Sequence, residues 1–338
     1  FQKQLGTLEE KSQRISSLAG YIAGKIDANQ EHASRAGLLS KTDLMTEMVM
    51  EFPEVQGVMG MYYAQNDQEP ESIAKALYEQ YKPRFAGDTL PSHPVSAAVS
   101  LADKLDTLVG IFGISQLPKG DKDPFALRRA AIGVLRIISE NNYSLDLTDL
   151  VDKAISVYAG KLSNADTQQQ VIDFVLGRFV SLLQDQGVST DVIQAVSARR
   201  PTRPADYTAR IAAVAEFKQR DEAEALAAAN KRVANILAKQ GVSGEPQIDE
   251  SLLNDEAEKV LYHALMDVKE TVTQSAARHD YREVLSALAT LREPVDTFFD
   301  NVMVMAEDEK IRTNRLGLLL LLRSLFLKTA DISLLAKS

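Results

Sequence analysis

The sequence predicts an all-α fold, because apolar residues recur at helical spacing along most of its length. One helical face in residues 125–138 carries Leu127, Ala131, Val134 and Ile138. The same period returns in residues 226–237 and 295–302. No sustained alternation of apolar and polar residues, which would indicate half-buried β-strands, separates the turn signals.

The first helices are expected to form one N-terminal helical domain over residues 1–140. Breaks at residues 51–53, 82–94 and 116–124 contain proline or glycine and separate short helices. Asp123 and Pro124 supply a capping carboxylate and a first-turn proline for the helix that begins at Phe125.

Residues 141–205 are predicted to be connecting helices that end in the break at residues 199–204. A second helical bundle is predicted over residues 206–338. Its longest polar gap, residues 240–249, contains two glycines and a proline.

The composition is that of an ordinary globular protein, with 338 residues, 45% hydrophobic and 25% charged. The sequence contains no cysteine, which excludes disulfides, cysteine-bound zinc and a cysteine nucleophile and fits a reducing compartment. The net charge of −9 argues against a broad positive surface that would bind nucleic acid, although local basic patches remain compatible with this charge.

The apolar stretch 316–327 is too short to span a membrane and predicts a buried helix. The chain shows no signal-peptide pattern, and its start without methionine suggests a piece of a longer protein.

Two stretches, residues 36–44 and 102–106, resemble the marked segments of the HD phosphohydrolase family. In that family an adjacent His-Asp pair and a later aspartate hold a divalent cation that activates water. Here Ser40 and Lys41 occupy the His-Asp positions, Arg14 aligns with the first histidine, and Asp103 alone keeps a ligand-type side chain. The sequence therefore predicts a degenerate HD-like site that holds no metal.

Two alternatives accompany this interpretation. The first is an active metal-dependent phosphohydrolase, for which only a few ligand-type side chains are available, namely His32, His93, Asp43, Asp103 and Asp106. If the metal site is inert, Lys41 and Lys104 are available either for an internal ion pair with Asp103 or for an RNA phosphate.

A glycine-containing loop at residues 117–124 leads into a helix whose free N–H groups favour an anion. The candidate phosphate-binding cations near it are Lys119, Lys122, Arg128 and Arg129. Alternatively, Asp121 and Asp123 pair with these cations and cap the helix, and the sequence leaves both interpretations open.

This loop resembles the β subunit of the bacterial two-subunit glycyl-tRNA synthetase, as do other stretches in the same order. The further stretches that carry the resemblance are residues 35–49, 56–60, 198–206, 229–237, 298–305 and 314–335. The chain is similar to the C-terminal half of that subunit, with an HD-like domain followed by an anticodon-binding bundle of the DALR type.

The resemblance implies a non-catalytic, tRNA-Gly-binding part of glycine–tRNA ligase in the cytoplasm. It implies that ATP and Mg²⁺ act at the α subunit, with no cofactor in this chain. The implied partners are tRNA-Gly, the α subunit and the rest of the β subunit, without DNA or membrane.

Anticodon reading needs flat surfaces and fixed hydrogen-bonding groups more than a broad positive field. The candidate tRNA-binding residues of the second bundle are Lys231, Arg232, Asn235, Lys239, Arg312 and Arg315. Arg199, Arg200 and Arg203 form a further basic loop stiffened by prolines.

Each candidate also has a purely structural interpretation. The α-helical cations Lys231, Arg232 and Lys239 can simply solvate a helix face, and Arg315 can pair with Asp308 or Asp300. The apolar spacing assigns Phe298 and Phe299 mainly to the core, with Phe299 as a possible border of a base pocket.

Overall fold

The computed structural model describes residues 2–118 and 122–335. Its regular structure over those residues consists of sixteen α-helices and five short 3-10 helices, with no β-strand. The all-α prediction is confirmed. None of the helices in these two ranges is both long enough and apolar enough to cross a membrane.

The chain divides into two compact units. Unit 1 comprises Phe1–Leu182 with Thr202–Ala205, and unit 2 comprises Leu183–Pro201 with Asp206–Ser338. Residues 141–205, predicted as connecting helices, are thus shared between the two units. The predicted three-part division itself stays a prediction.

Unit 1 is built around one long buried helix, α6. Its helices are α1 (Leu8–Lys25), α2 (Gln30–Leu39), α3 (Glu47–Glu51), α4 (Val58–Asn66), α5 (Glu71–Glu79), α6 (Pro94–Gly113), α7 (Leu127–Glu140), α8 (Leu147–Ser156) and most of α9 (Thr167–Asp185). Helices α1, α2, α5, α7 and α8 all pack against α6. The helix is rich in alanine, serine, valine and glycine, whose small side chains allow neighbours to approach it on nearly every side.

Helices α1 and α2 meet at a glycine. A Cβ atom added to Gly37 would lie 2.7 Å from the Cα atom of Ser16, closer than real atoms allow. This contact brings the end of α2 beside α1, so Ser40 and Lys41 lie next to the helix that carries Arg14.

Unit 2 contains the remaining helices. They are α10 (Thr190–Ser197), α11 (Pro204–Phe217, whose first two residues belong to unit 1), α12 (Ala223–Gln240), α13 (Glu256–Ala277), α14 (Tyr281–Ala289), α15 (Arg292–Asn301) and α16 (Glu309–Leu327). Helices α12 and α13 both pack against α15 and α16. The apolar stretch 316–327 forms the buried part of α16, as predicted, with Leu318, Leu319 and Leu322 fully buried.

Candidate functional site

The degenerate HD-like position is filled by ion pairs between α1 and α6. Arg14 donates from Nε to Oδ1 of Asp106 at 2.6 Å and from Nη2 to Oδ2 at 3.3 Å. Lys11 lies 2.9 Å from the same carboxylate, and the Arg14 guanidinium stacks on the Tyr158 ring at 4.2 Å. A buried Asp106 with two cationic partners is satisfied inside the protein.

Asp103 is held by two lysines. Its Oδ2 lies 3.1 Å from Nζ of Lys41, and its Oδ1 lies 3.3 Å from Nζ of Lys11. Burial acts to raise the pKa of Asp103, but the charges of Lys41, Lys11 and Lys104 outweigh it and hold that pKa well below its usual range. The predicted internal ion pair between Lys41 and Asp103 is confirmed.

Ser40 and Lys41 lie where the resemblance places the His-Asp pair, and both are buried. The Lys41 ammonium donates to Gln80 Oε1 at 2.8 Å and lies 4.5 Å from the centre of the Tyr81 ring. A fixed cation among these partners repels a divalent metal ion.

Lys104 does not pair with Asp103. Its Nζ donates to Ser100 Oγ at 2.7 Å and to the carbonyl oxygens of Lys82 and Gln80 at 2.8 and 3.3 Å. The Lys104 ammonium therefore has only neutral hydrogen-bond acceptors.

The remaining groups that an active phosphohydrolase would use have other partners. Asp43 accepts the backbone N–H groups of Gly57 at 2.6 Å and Gly60 at 3.2 Å. His32 Nδ1 lies 2.8 Å from Ser72 Oγ, and His93 accepts the N–H of Val95 at the start of α6. In the part of the chain that the structure describes, no three histidine or carboxylate side chains gather into a possible metal site.

At the start of α7 the capping interpretation holds for Asp123. Its carboxylate accepts the N–H groups of Leu127 and Arg128 at 2.8 and 2.9 Å, so these donors are not free for a phosphate. The helix begins at Leu127, not at Phe125, and Pro124 consequently lies in the preceding turn. Lys122 and Arg129 are exposed and Arg128 is half-buried, while Lys119 and Asp121 lie outside the described residues.

In unit 2, one face of α12 presents four of the predicted tRNA-binding residues to solvent. This surface, called the α12 face below, consists of Lys231, Arg232, Asn235 and Lys239. The guanidinium of Arg232 lies 4.3 Å from the centre of the Phe299 ring on α15. Phe298 is fully buried, as expected, whereas Phe299 is half-buried beneath Arg232. A cation stacked on an aromatic ring is a flat and oriented surface.

Arg315 requires reassignment, because it is 7% exposed and lies in the helical core. It pairs with Glu258, and its Nη2 lies 2.6 Å from Oδ2 of Asp255. The partners expected from sequence proximity, Asp308 and Asp300, are therefore wrong. The packing of α13 against α16 supplies the carboxylates instead.

Arg312 and Arg315 also brace the segment that follows α15. Arg315 donates to the carbonyl of Met303 at 2.8 Å, and Arg312 donates to that of Ala306 at 3.1 Å. Asn314, between them, bonds both the N–H and the carbonyl of Asp249 at 2.7 and 3.0 Å. Through these hydrogen bonds the three side chains hold the surface segments at Met303–Ala306 and at Asp249 in place.

The braced segment contains exposed residues to which the sequence analysis gave no role. Met303 is 76% exposed and Met305 is 43% exposed, whereas Val302 and Val304 are buried. The alternation of valine and methionine was visible in the sequence, but it is too short to distinguish a surface from a core segment.

The basic loop is divided between the units. Arg199 and Arg200, in unit 2, are exposed, and Arg200 has a positive φ of 48°. Arg203, in unit 1, lies 3.4 Å from a carboxylate oxygen of Asp146. At this distance and partial exposure the pair contributes little to stability.

Comparison with known proteins finds two family matches along the chain. Residues 1–198 match the family described as glycyl-tRNA synthetase beta subunit, and residues 226–332 match the DALR anticodon binding domain. The second match contains the α12 face, the braced segment and the whole of α16.

Curated relatives match over the whole chain. It is 68% identical to the glycine–tRNA ligase beta subunit of Alteromonas mediterranea, 61% to that of Aliivibrio fischeri and 59% to that of Pseudoalteromonas translucida. In each comparison all of this chain is covered, together with 49% of the relative. The chain thus spans about half the length of these relatives. On the strength of both the family match and the relatives, the chain belongs to the glycyl-tRNA synthetase beta subunit family.

Proposed function

We propose that this chain is the tRNA-binding part of glycine–tRNA ligase, with unit 2 contacting the anticodon side of tRNA-Gly. The observation that carries the proposal is the exposed α12 face beside Phe299, inside the region that matches an anticodon binding domain. In the proposed assembly the α subunit binds ATP and Mg²⁺ and carries out glycylation in the cytoplasm.

The chemistry of the α12 face suits unstacked RNA bases. Bases outside a helix bind by stacking on aromatic rings or guanidinium planes and by hydrogen bonds to their edges. Arg232 supplies such a plane, already oriented by Phe299, and Asn235 supplies an amide donor and acceptor. Lys231 and Lys239 flank these groups along α12 and can contact phosphates.

Arg312, Asn314 and Arg315 have a supporting role in this proposal. Each bonds a backbone carbonyl of the adjacent surface segments, and Asn314 and Arg315 are buried. They fix the position of neighbouring loops and do not touch RNA themselves. Because these loops are already ordered, less conformational entropy is lost when RNA binds.

Charge reversal on the α12 face tests the proposal. The variant Lys231→Glu/Arg232→Glu should bind tRNA-Gly at least about tenfold more weakly, because it loses two cationic contacts at about 1–2 kcal/mol each. Filter binding of the complete chain to tRNA-Gly, with and without anticodon substitutions, measures the effect.

Lys269→Glu is the matched control, since Lys269 is an exposed lysine on α13 of the same unit. It should leave the affinity within about twofold of the unaltered chain if specific contacts, and not net charge, dominate. Equal losses in both variants, or no loss in either, would contradict the assignment of the α12 face.

A further inference from the structure

Unit 1 contains a cleft with an excess of positive charge. Two cavities of about 340 and 410 Å³ adjoin there and share Asp103, Thr107, Phe125, Ala126 and Arg129. Together they form the cationic cleft. Its charged lining among the described residues comprises two carboxylates, Asp103 and Asp106, and six cations, namely Lys11, Arg14, Lys41, Arg84, Lys104 and Arg129.

Neighbouring carboxylates do not cancel this excess. Asp43 lies near Lys41 and Asp88 near Lys104, and each already accepts two backbone N–H groups. Even when both are counted, six cations face four carboxylates. Two of the six cations, Arg84 and Arg129, are exposed, whereas Lys104 is buried and donates only to neutral acceptors. A buried ammonium without a hydrogen-bonded anion is costly, so a bound anion would stabilise this part of the fold.

Three polar groups of the cleft can donate hydrogen bonds to such an anion. The hydroxyl of Tyr81 is buried without a hydrogen-bond partner. Lys104 has only neutral acceptors, and Arg129 is exposed at the rim shared by both cavities. Burial lowers the pKa of Lys41 and brings that of Lys104 to about 8, and a nearby anion would oppose both changes.

We propose that the cationic cleft binds a phosphate group, without a metal ion, through Lys104, Arg129 and the Tyr81 hydroxyl. An ammonium, a guanidinium and a hydroxyl together present the several donors that a phosphate accepts. Lys41 and Arg14, which occupy two of the degenerate HD-like positions, line the same cleft and add positive charge where the family resemblance would place a metal cation. The proposal concerns unit 1 and is independent of the α12 face of unit 2.

Phosphate titration of the complete chain tests the proposal. Isothermal calorimetry with inorganic phosphate, in chloride-matched buffers, should show saturable binding to the unaltered chain. Arg129→Glu replaces an exposed side chain and should preserve the fold, yet weaken phosphate binding about tenfold or more through the loss of one charge-assisted contact. Lys104→Met, checked by circular dichroism, should have a similar effect, and Lys269→Glu, at the exposed lysine on α13 of unit 2, should have none.

A second arm distinguishes a free phosphate from one carried by RNA. A short oligonucleotide with a 5′-phosphate is compared with the same oligonucleotide ending in a 5′-hydroxyl. If inorganic phosphate gives no heat but the phosphorylated RNA binds in an Arg129-dependent way, the group is supplied by RNA and the proposal holds. If neither probe binds saturably, or if Arg129→Glu binds both probes as the unaltered chain does, the proposal is overturned.

Discussion

At the scale of single residues, unit 1 keeps a lysine in an unusual environment. Lys104 is 8% exposed, and Gly133 on α7 leaves room for it, since a Cβ atom there would lie 2.6 Å from Lys104 Cε. Burial is the main cause that lowers the pKa of Lys104 to about 8, helped by the charges of Lys41 and Arg129 and opposed by those of Asp103 and Asp88.

This pKa predicts a pH dependence of stability. Between pH 8 and 10.5, the ordinary lysine value, the unfolded chain keeps a proton that the folded chain has released. The free energy of unfolding should therefore gain up to about 3 kcal/mol across this window relative to Lys104→Met, and the difference between the two chains should be constant below pH 8.

Denaturant unfolding at several pH values, in a buffer without phosphate, measures this difference. Subtracting the Lys104→Met curve removes the contributions of tyrosines and other lysines that titrate in both chains. Lys231→Met, an exposed lysine, serves as control and should run parallel to the unaltered chain. Parallel curves for Lys104→Met as well would show that Lys104 keeps an ordinary pKa.

At the scale of elements, the contact between α1 and α2 sets the geometry of the degenerate site. Gly37 allows the two helices to approach until its Cα faces the backbone of Ser16. The obstacle to a larger residue is the backbone of α1, which cannot turn aside as a flexible side chain can.

Gly37→Ala should consequently destabilise the fold by about 1–3 kcal/mol, although alanine favours a helix over glycine. Gly177→Ala is the matched control, because Gly177 also lies inside a helix of unit 1 but has open space around it. It should stabilise the chain by about 0.5–1 kcal/mol. Thermal unfolding of both variants decides the matter, and a stabilised Gly37→Ala would disprove the close contact.

At the scale of the whole molecule, the acidic balance limits how the proposed tRNA binding could work. A net charge of −9 argues against binding through a broad positive field and favours specific contacts on a small surface. The α12 face has three cations, Lys231, Arg232 and Lys239.

The salt dependence of the proposed tRNA binding should accordingly be shallow. Even if all three cations neutralised a phosphate of single-stranded RNA, the slope of log K against log salt concentration would be only about −2. Replacing Lys231 and Lys239 by methionine should flatten this slope toward about −1. Both slopes, for the unaltered chain and for the double variant, are measured by binding titrations at salt concentrations from about 50 to about 300 mM. A slope steeper than about −5 would indicate a larger basic surface elsewhere.

The sequence by itself determined the all-α class, the family and the exposed cations of α12. Helical periodicity and propensity are local properties, and the α12 residues lie within a few turns of one another, so their common face follows from their spacing. The family can also be recognised without a structure, because several long motifs occur in the same order along the sequence.

Only the tertiary structure decided which charges are available. Arg315 and Arg232 look alike in the sequence, yet Arg315 is buried against Glu258, 57 positions away, while Arg232 lies exposed on Phe299. In the same way, Arg14 and Asp106 meet across 92 positions, and Lys104 turns to backbone carbonyls instead of to Asp103. The physical reason is that burial and ion pairing depend on which helices pack together, and that packing joins residues whose separation along the chain carries no periodic signal.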